Sequence, residues 1–232
     1  MSVFARLVEQ LADLLQPFCH ASATAAAIVL FTALVRLATH PLARAAARGQ
    51  RARAALQPRI AELRKRHARD PERLQRAVLE LHTDAKVSPF SGLLPGLLQL
   101  PAFFLLYHLF SNATIGDGPN TLLGHDLFTA PLDGRWADTL NAGTSGGSGL
   151  VYLGLFAVVA AVATVNYRRA RRTAAENPVP AGGTVPGLGA VGKAAPFLSF
   201  LTLVTVAVVP LAAALYVVTS TTWSTVERAM LA

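Results

Sequence analysis

The residue in this chain with the clearest capacity for chemistry is Arg36. It lies in the run Ala25–Ala38, where every other residue except Thr32 is apolar. Such a run reads as a membrane-spanning helix. An arginine at mid-helix depth in a bilayer costs about 2.5–3.5 kcal/mol on insertion scales. The next basic residue, Arg44, is eight positions on, or roughly 12 Å along a helix, too far for easy snorkelling to the surface. No acidic residue lies in the apolar blocks before residue 211, and Glu227 falls near the end of the last one. The charge is therefore expected to sit in a wet cavity and to serve an anionic visitor. Other polar residues recur at helical spacing inside apolar blocks. Thr32, Arg36 and Thr39/His40 share one helix face, and Tyr216, Ser220, Trp223 and Glu227 share another. Gln99, Tyr107, His108, Thr164 and Asn166 add to the set. Polar groups in membrane helices face the bundle interior or a hydrated path, although Thr, Ser and Asn also serve as interhelical glue.

Three enzyme-like patterns fail on context. Gly143-Thr144-Ser145-Gly146-Gly147 matches G-x-S-x-G, but a nucleophile elbow needs a strand before it and a helix after it, and a serine needs a base. Here a Gly/Ser linker precedes an apolar block, and all six histidines lie upstream. Gly187 to Ala194 matches G-x-G-x-x-G and nearly a phosphate-binding loop. No strand precedes it, and Ala194 replaces the metal-binding hydroxyl. The histidines lack metal-ligand spacing, and the single Cys19 excludes a disulfide framework. No catalytic residue, cofactor or metal is expected, and the chain is not read as an enzyme.

The elements that must position these side chains follow from composition and charge. The chain is 53% hydrophobic and 15% charged, too apolar for an ordinary soluble domain. The net charge of +8 is unevenly spread. Residues 43–92 carry twelve Lys/Arg and five Asp/Glu, residues 168–193 five and one, and residues 114–148 one and four. Basic segments thus alternate with an acidic one across apolar blocks, the positive-inside pattern of a polytopic membrane protein. Nucleic-acid binding is not expected.

An all-α fold follows, with five transmembrane helices, a cytoplasmic helical hairpin and an N-terminal amphipathic interfacial helix. Residues 1–20 form the surface helix, ended by Pro17. The spans are 21–42, 93–111, 150–167, 194–209 and 211–230, the last two joined tightly at Pro210. Residues 43–92 form the cytoplasmic hairpin loop, 112–149 the outer loop and 168–193 a cytoplasmic linker. In the hairpin, Leu56, Ile60, Leu63 and His67 mark one face, and Leu74, Val78 and Leu81 another. Asp70-Pro71-Glu72 is a helix-start signal. No cleavable signal peptide is evident. The N-terminus is expected outside and the C-terminus in the cytoplasm.

With these residues in view, the chain resembles the YidC-type membrane protein insertases. The resemblance rests on Val35-Arg36-Leu37 and Pro41-Leu42, on Gln57-Pro58 and on Asp70-Pro71-Glu72-Arg73-Leu74-Gln75. It continues through Ser88-Pro89-Phe90-Ser91-Gly92-Leu93-Leu94-Pro95 and Leu97-Leu98-Gln99-Leu100-Pro101, with Leu215-Tyr216 and Trp223 as a weaker late motif. The resemblance implies a bacterial member without a large outer domain and without a long basic tail for ribosomes. It implies a hydrophilic groove open to the cytoplasm and lipid, with Arg36 attracting acidic segments of incoming proteins. Thr32, Gln99, Asn166, Tyr216, Ser220 and Trp223 are the expected groove residues. The implied partners are nascent membrane proteins and the bilayer of the cell membrane, with the Sec translocon and the ribosome as further candidates. Two other readings of the same residues are a small-anion transporter, which predicts internally repeated or broken helices, and an assembly scaffold.

Overall fold

The computed structural model describes residues 2–86, 104, 107–115, 118–141, 147–176 and 195–231, and most of them are helical. Among the described residues two helices, Ala23–Arg66 and Gly147–Thr173, are long and apolar enough to cross a membrane. The chain divides into two compact units, one of residues 1–36 and 105–227, the other of residues 37–104 and 228–232.

The first unit opens with α1 (Ser2–Cys19). Its Ala5 and Val8 are buried, and Phe4 meets Phe31 edge-on at 6.4 Å, while Leu7, Leu14 and Phe18 stay exposed. Pro17 lies inside this helix, which corrects the expectation that it ends there. In the last turn a proline forfeits only one backbone hydrogen bond. The reversal comes instead at His20, whose φ of 46° is left-handed, in the 3-10 turn His20–Ser22. Helix α2 (Ala23–Arg66) follows. Within its first turns Ile28, Phe31 and Thr32 are buried, whereas Leu30, Leu34 and Leu37 are exposed. The helix is therefore apolar on both faces and packed on only one.

The stretch between the helical residues 107–111 and the next long helix is not a bare polar loop. It holds two short antiparallel ribbons, β1 (Thr114–Ile115) with β2 (Gly118–Pro119) and β3 (Asp126–Leu127) with β4 (Ala130–Pro131). A 3-10 turn, Thr121–Gly124, joins the ribbons, and α4 (Trp136–Asn141) follows them. Side chains and backbone tie this cap to the helices. Asn120 donates to the carbonyls of Leu109 at 2.8 Å and Asn112 at 2.9 Å, answering helix-end acceptors. Thr121 donates to Glu9 of α1. Trp136 packs on Tyr152 at 5.6 Å and on Phe156 at 5.3 Å, and the Tyr152 hydroxyl donates to the carbonyl of Gly134 at 2.7 Å. Those two aromatics belong to α5 (Gly147–Glu176). A Cβ on its first residue, Gly147, would overlap Thr129 Oγ1 and meet its Cγ2 at 3.2 Å, so a larger residue there would force Thr129 to shift.

The chain resumes at a 3-10 turn, Ala195–Phe200, which leads into α6 (Leu201–Val208). Val209 is extended, and after Pro210 the chain enters α7 (Leu211–Met230). The first N–H groups of α7 lack intrahelical partners. Leu211 donates to the carbonyl of Gly134 and Ala212 to that of Leu132, both at 2.9 Å. The cap segment thus supplies the missing acceptors, and Leu211 to Val218 are buried in an unbroken run.

The second unit holds residues 37–66 of α2 and α3 (Pro71–Asp84). Helix α2 runs from the apolar stretch without a break to Arg66, with Pro41 and Pro58 inside it. Leu56 and Ile60 are buried, as is His82 of α3, whose Nδ1 lies 2.8 Å from the carbonyl oxygen of Val78. Between the helices, Asp70 Oδ1 accepts from the backbone N–H of Arg73 at 3.0 Å, with Pro71 at the first helical position. That is the helix start written in the sequence. The Arg73–Asp70 ion pair at 3.1 Å is exposed and adds little.

Candidate functional site

Arg36 lies on the packed face of α2, one turn beyond the buried Thr32. The same periodicity that buries Ile28 and Thr32 turns the guanidinium away from the face that carries Leu34 and Leu37. Its Nε donates to Ser220 Oγ of α7 at 3.0 Å, and its Nη2 donates to the same oxygen. A hydrogen bond from a charged donor is worth about 1.5–3 kcal/mol net. Tyr216, one turn before Ser220, is buried, stacks obliquely on Phe110 at 6.3 Å and shares a hydrogen bond with the Ser220 side chain. Arg36, Ser220 and Tyr216 therefore form one constellation between α2 and α7.

The remaining expected residues sort differently. Thr32 is 1% exposed, and its hydroxyl donates to the carbonyl of Ile28 at 2.7 Å, so its donor is spent within its own helix. Trp223 is half-buried on α7, three residues past Ser220. Asn166 Nδ2 donates to Thr225 Oγ1 at 3.0 Å, tying α5 to α7. Arg169 adds a bond to the carbonyl of Thr225 at 3.3 Å. Gln99 lies outside the described residues, as do Gly187 to Ala194 and, except for Gly147, the Gly143–Gly147 pattern. Among the described residues no three His, Cys, Asp or Glu side chains gather as a metal would require.

One feature of α7 was not singled out from the sequence. Residues 220–225 read Ser-Thr-Thr-Trp-Ser-Thr, five hydroxyls in six positions. Thr221, Ser224 and Thr225 donate to carbonyls one turn back, those of Val217, Ser220 and Thr221, at 2.8 to 2.9 Å. Thr222 Oγ1 is buried with no partner among the described residues. Hydroxyl density, rather than spacing on one face, was the available signal. Chemically the site can hold and orient an anion by charge and hydrogen bonds.

A helical membrane protein with a charge on its packed face is the class that the fold and this site define. Residues 15–232 match the family described as 60Kd inner membrane protein. The chain belongs to that family, the YidC-type insertases. It is 39% identical over 101 residues to a membrane protein insertase YidC of Clostridium perfringens, a stretch that is 44% of this chain and 42% of the relative. It is 36% identical over 127 residues to the chloroplastic inner membrane ALBINO3-like protein 2 of Chlamydomonas reinhardtii, covering 55% of this chain and 28% of that protein. A YidC of Magnetococcus marinus is 39% identical over 102 residues, covering 44% and 18%. The matched region thus spans less than half the length of each of these relatives.

Proposed function

We propose that this protein is a membrane protein insertase. In this reading it passes hydrophilic segments of nascent membrane proteins along a groove beside Arg36 and releases their helices into the bilayer. The observation that carries the proposal is the Arg36 guanidinium on the packed face of α2, held by a hydroxyl-rich turn of α7. Ser220 is a neutral partner, and its contact orients the guanidinium. A groove within one leaflet shortens the apolar barrier that a polar segment must cross. The charge offers an acidic segment a resting point, and a membrane potential positive outside favours outward movement of negative charge by about 2.3 kcal/mol per charge per 100 mV. No covalent step is needed.

The finer architecture belongs to the same proposal. Five spans cross the cell membrane, residues 43–92 form a cytoplasmic hairpin that receives substrate, and the N-terminus lies outside with the C-terminus inside. The cap of residues 112–141 then closes the outer end. Gln99, Trp223 and Tyr216 line the groove with Arg36 and Ser220, while Asn166 and Thr32 serve its walls. The Sec translocon and the ribosome enter as accessory partners. The test is reconstitution of the purified protein in protein-free liposomes with a short single-span substrate. Protease-protected substrate above the level of empty liposomes is expected. Anion flux with no substrate insertion would overturn the proposal in favour of a transporter.

A further inference from the structure

Near its end helix α5 carries Arg168, Arg169, Arg171 and Arg172, and these four side chains do not behave alike. Arg169 is turned onto the carbonyl of Thr225. Arg168, Arg171 and Arg172 are exposed. At about 100° per residue those three fall within an arc of roughly 100° on one face of the helix. The same face, followed back towards the start of α5, is apolar and exposed. Leu150 is 72%, Leu153 55% and Val165 43% exposed, and all lie within about 60° of the Arg168 direction. From Leu150 to Arg168 is eighteen residues, about 27 Å of helix, close to the ~30 Å thickness of a bilayer's hydrocarbon core. The arginines are therefore set where lipid headgroups begin, above a stripe that acyl chains would cover.

An aromatic cluster marks the same level. The Arg171 guanidinium lies 5.9 Å over the ring of Tyr167. Tyr167 packs against Phe197 at 5.2 Å and Phe200 at 5.7 Å. Phe197 is 61% exposed, so the cluster borders the apolar stripe. Aromatic rings of this kind settle at the membrane interface, and stacking on Tyr167 holds one guanidinium against that surface.

We propose that Arg168, Arg171 and Arg172, with Tyr167 beneath them, form a binding site for the headgroup of an anionic phospholipid. The site rests on the reading of α5 as a membrane span. An RNA phosphate backbone would satisfy the arginines equally well, but it would leave the apolar stripe and the Phe197 cluster uncovered, whereas a lipid covers both. Surface arginines contribute roughly fivefold each to the binding of acidic lipid.

The test uses the full chain, delipidated in detergent and offered equimolar phosphatidylglycerol and phosphatidylcholine with identical acyl chains. Bound lipid is counted by native mass spectrometry. Wild type should retain phosphatidylglycerol at least tenfold over phosphatidylcholine. Arg168→Gln/Arg171→Gln/Arg172→Gln should bring the ratio within twofold, and Arg171→Gln alone should cut it about fivefold. Arg64→Gln/Lys65→Gln/Arg66→Gln removes the same net charge from the second unit and should leave the preference intact. Equal retention of both lipids by wild type overturns the proposal, as does equal loss in the two triple variants. This assay reads no insertion, so failure of the insertase reading leaves its outcome unchanged. Accessibility of a cysteine at Thr173 reports separately on the topology.

Discussion

Replacing Arg36 tests the groove mechanism most directly. Two unit charges interact by about 4 kcal/mol at 4 Å and about 2 kcal/mol at 8 Å when the effective dielectric is about 20. An acidic substrate segment that approaches Arg36 must share its donors with Ser220 and shed water, which offsets part of this gain. A net contribution of about 1–2 kcal/mol corresponds to a factor of about 5–30 in an equilibrium or rate. Arg36→Ala should therefore slow insertion of a substrate with an acidic outer tail about tenfold. A matched substrate with a neutral tail should change less than about threefold. Arg36→Lys should keep most of the activity, because attraction needs a charge rather than a planar fork. The bundle should survive both changes. Removing the guanidinium leaves Ser220 Oγ without that donor, while its own O–H can still bond the carbonyl one turn back, as Ser224 does to Ser220 at 2.9 Å. A loss of about 1.5–3 kcal/mol of stability is expected from the missing bonds to Ser220. The assay is insertion of both substrates into liposomes by wild type and both variants, alongside thermal melting in detergent. If folded Arg36→Ala inserts acidic-tailed and neutral-tailed substrates as well as wild type, the charge has no part in the mechanism.

Asn166→Ala should cost about 1 kcal/mol of stability by removing the bond to Thr225, while the ratio of acidic-tailed to neutral-tailed insertion stays at the wild-type value. A shifted ratio would place Asn166 in the substrate path. Gly147→Ala should destabilise by about 1–3 kcal/mol through overlap with Thr129, and adding Thr129→Ala should restore most of the loss in a melting experiment. No rescue would show that the position is limited by something other than this contact. Single cysteines at Ser148 and Thr173 in a Cys19→Ser background should react with an impermeant thiol reagent from opposite faces of intact vesicles, and reaction from one face alone would sink the odd number of crossings between them.

What the sequence disclosed depended on how local the determinant was. The Asp70-Pro71 start of α3 and the break at Pro210 are properties of two or three adjacent residues, and both could be read directly. Pro17 misled because a proline's effect depends on how much helix remains beyond it, and the nearby left-handed His20 was not foreseeable from a pattern. The cap over residues 112–141 was invisible for a different reason. Part of what ties it down is backbone carbonyls, those of Leu132 and Gly134, presented to the start of α7, and carbonyls carry no sequence signature. Arg36 stood out because a charge in an apolar run is improbable. Its partner was harder to choose, since Ser220 shares a short stretch with four other hydroxyls and only packing decides which of them faces α2.

The two ends of α7 are held by different chemistry, and that difference bears on mechanism. At its start, backbone bonds from Leu211 and Ala212 fasten the helix to the cap, and Leu211 to Ala214 are fully buried. Movement there would strand buried donors, at about 1–3 kcal/mol each. Further along, Ser220 and Thr225 meet neighbouring helices through their hydroxyls, with one added bond from Arg169 to the Thr225 carbonyl. Separation at Ser220 frees the Arg36 donors, which the carboxylates of a substrate would take up in the proposed mechanism, and the Ser220 O–H still has a carbonyl of its own helix within reach. In the proposed mechanism a substrate that offers carboxylates to Arg36 replaces Ser220, while the capped end stays shut. The asymmetry lets the helices part at one end only, which is what passage of a polar segment followed by sideways release into lipid requires.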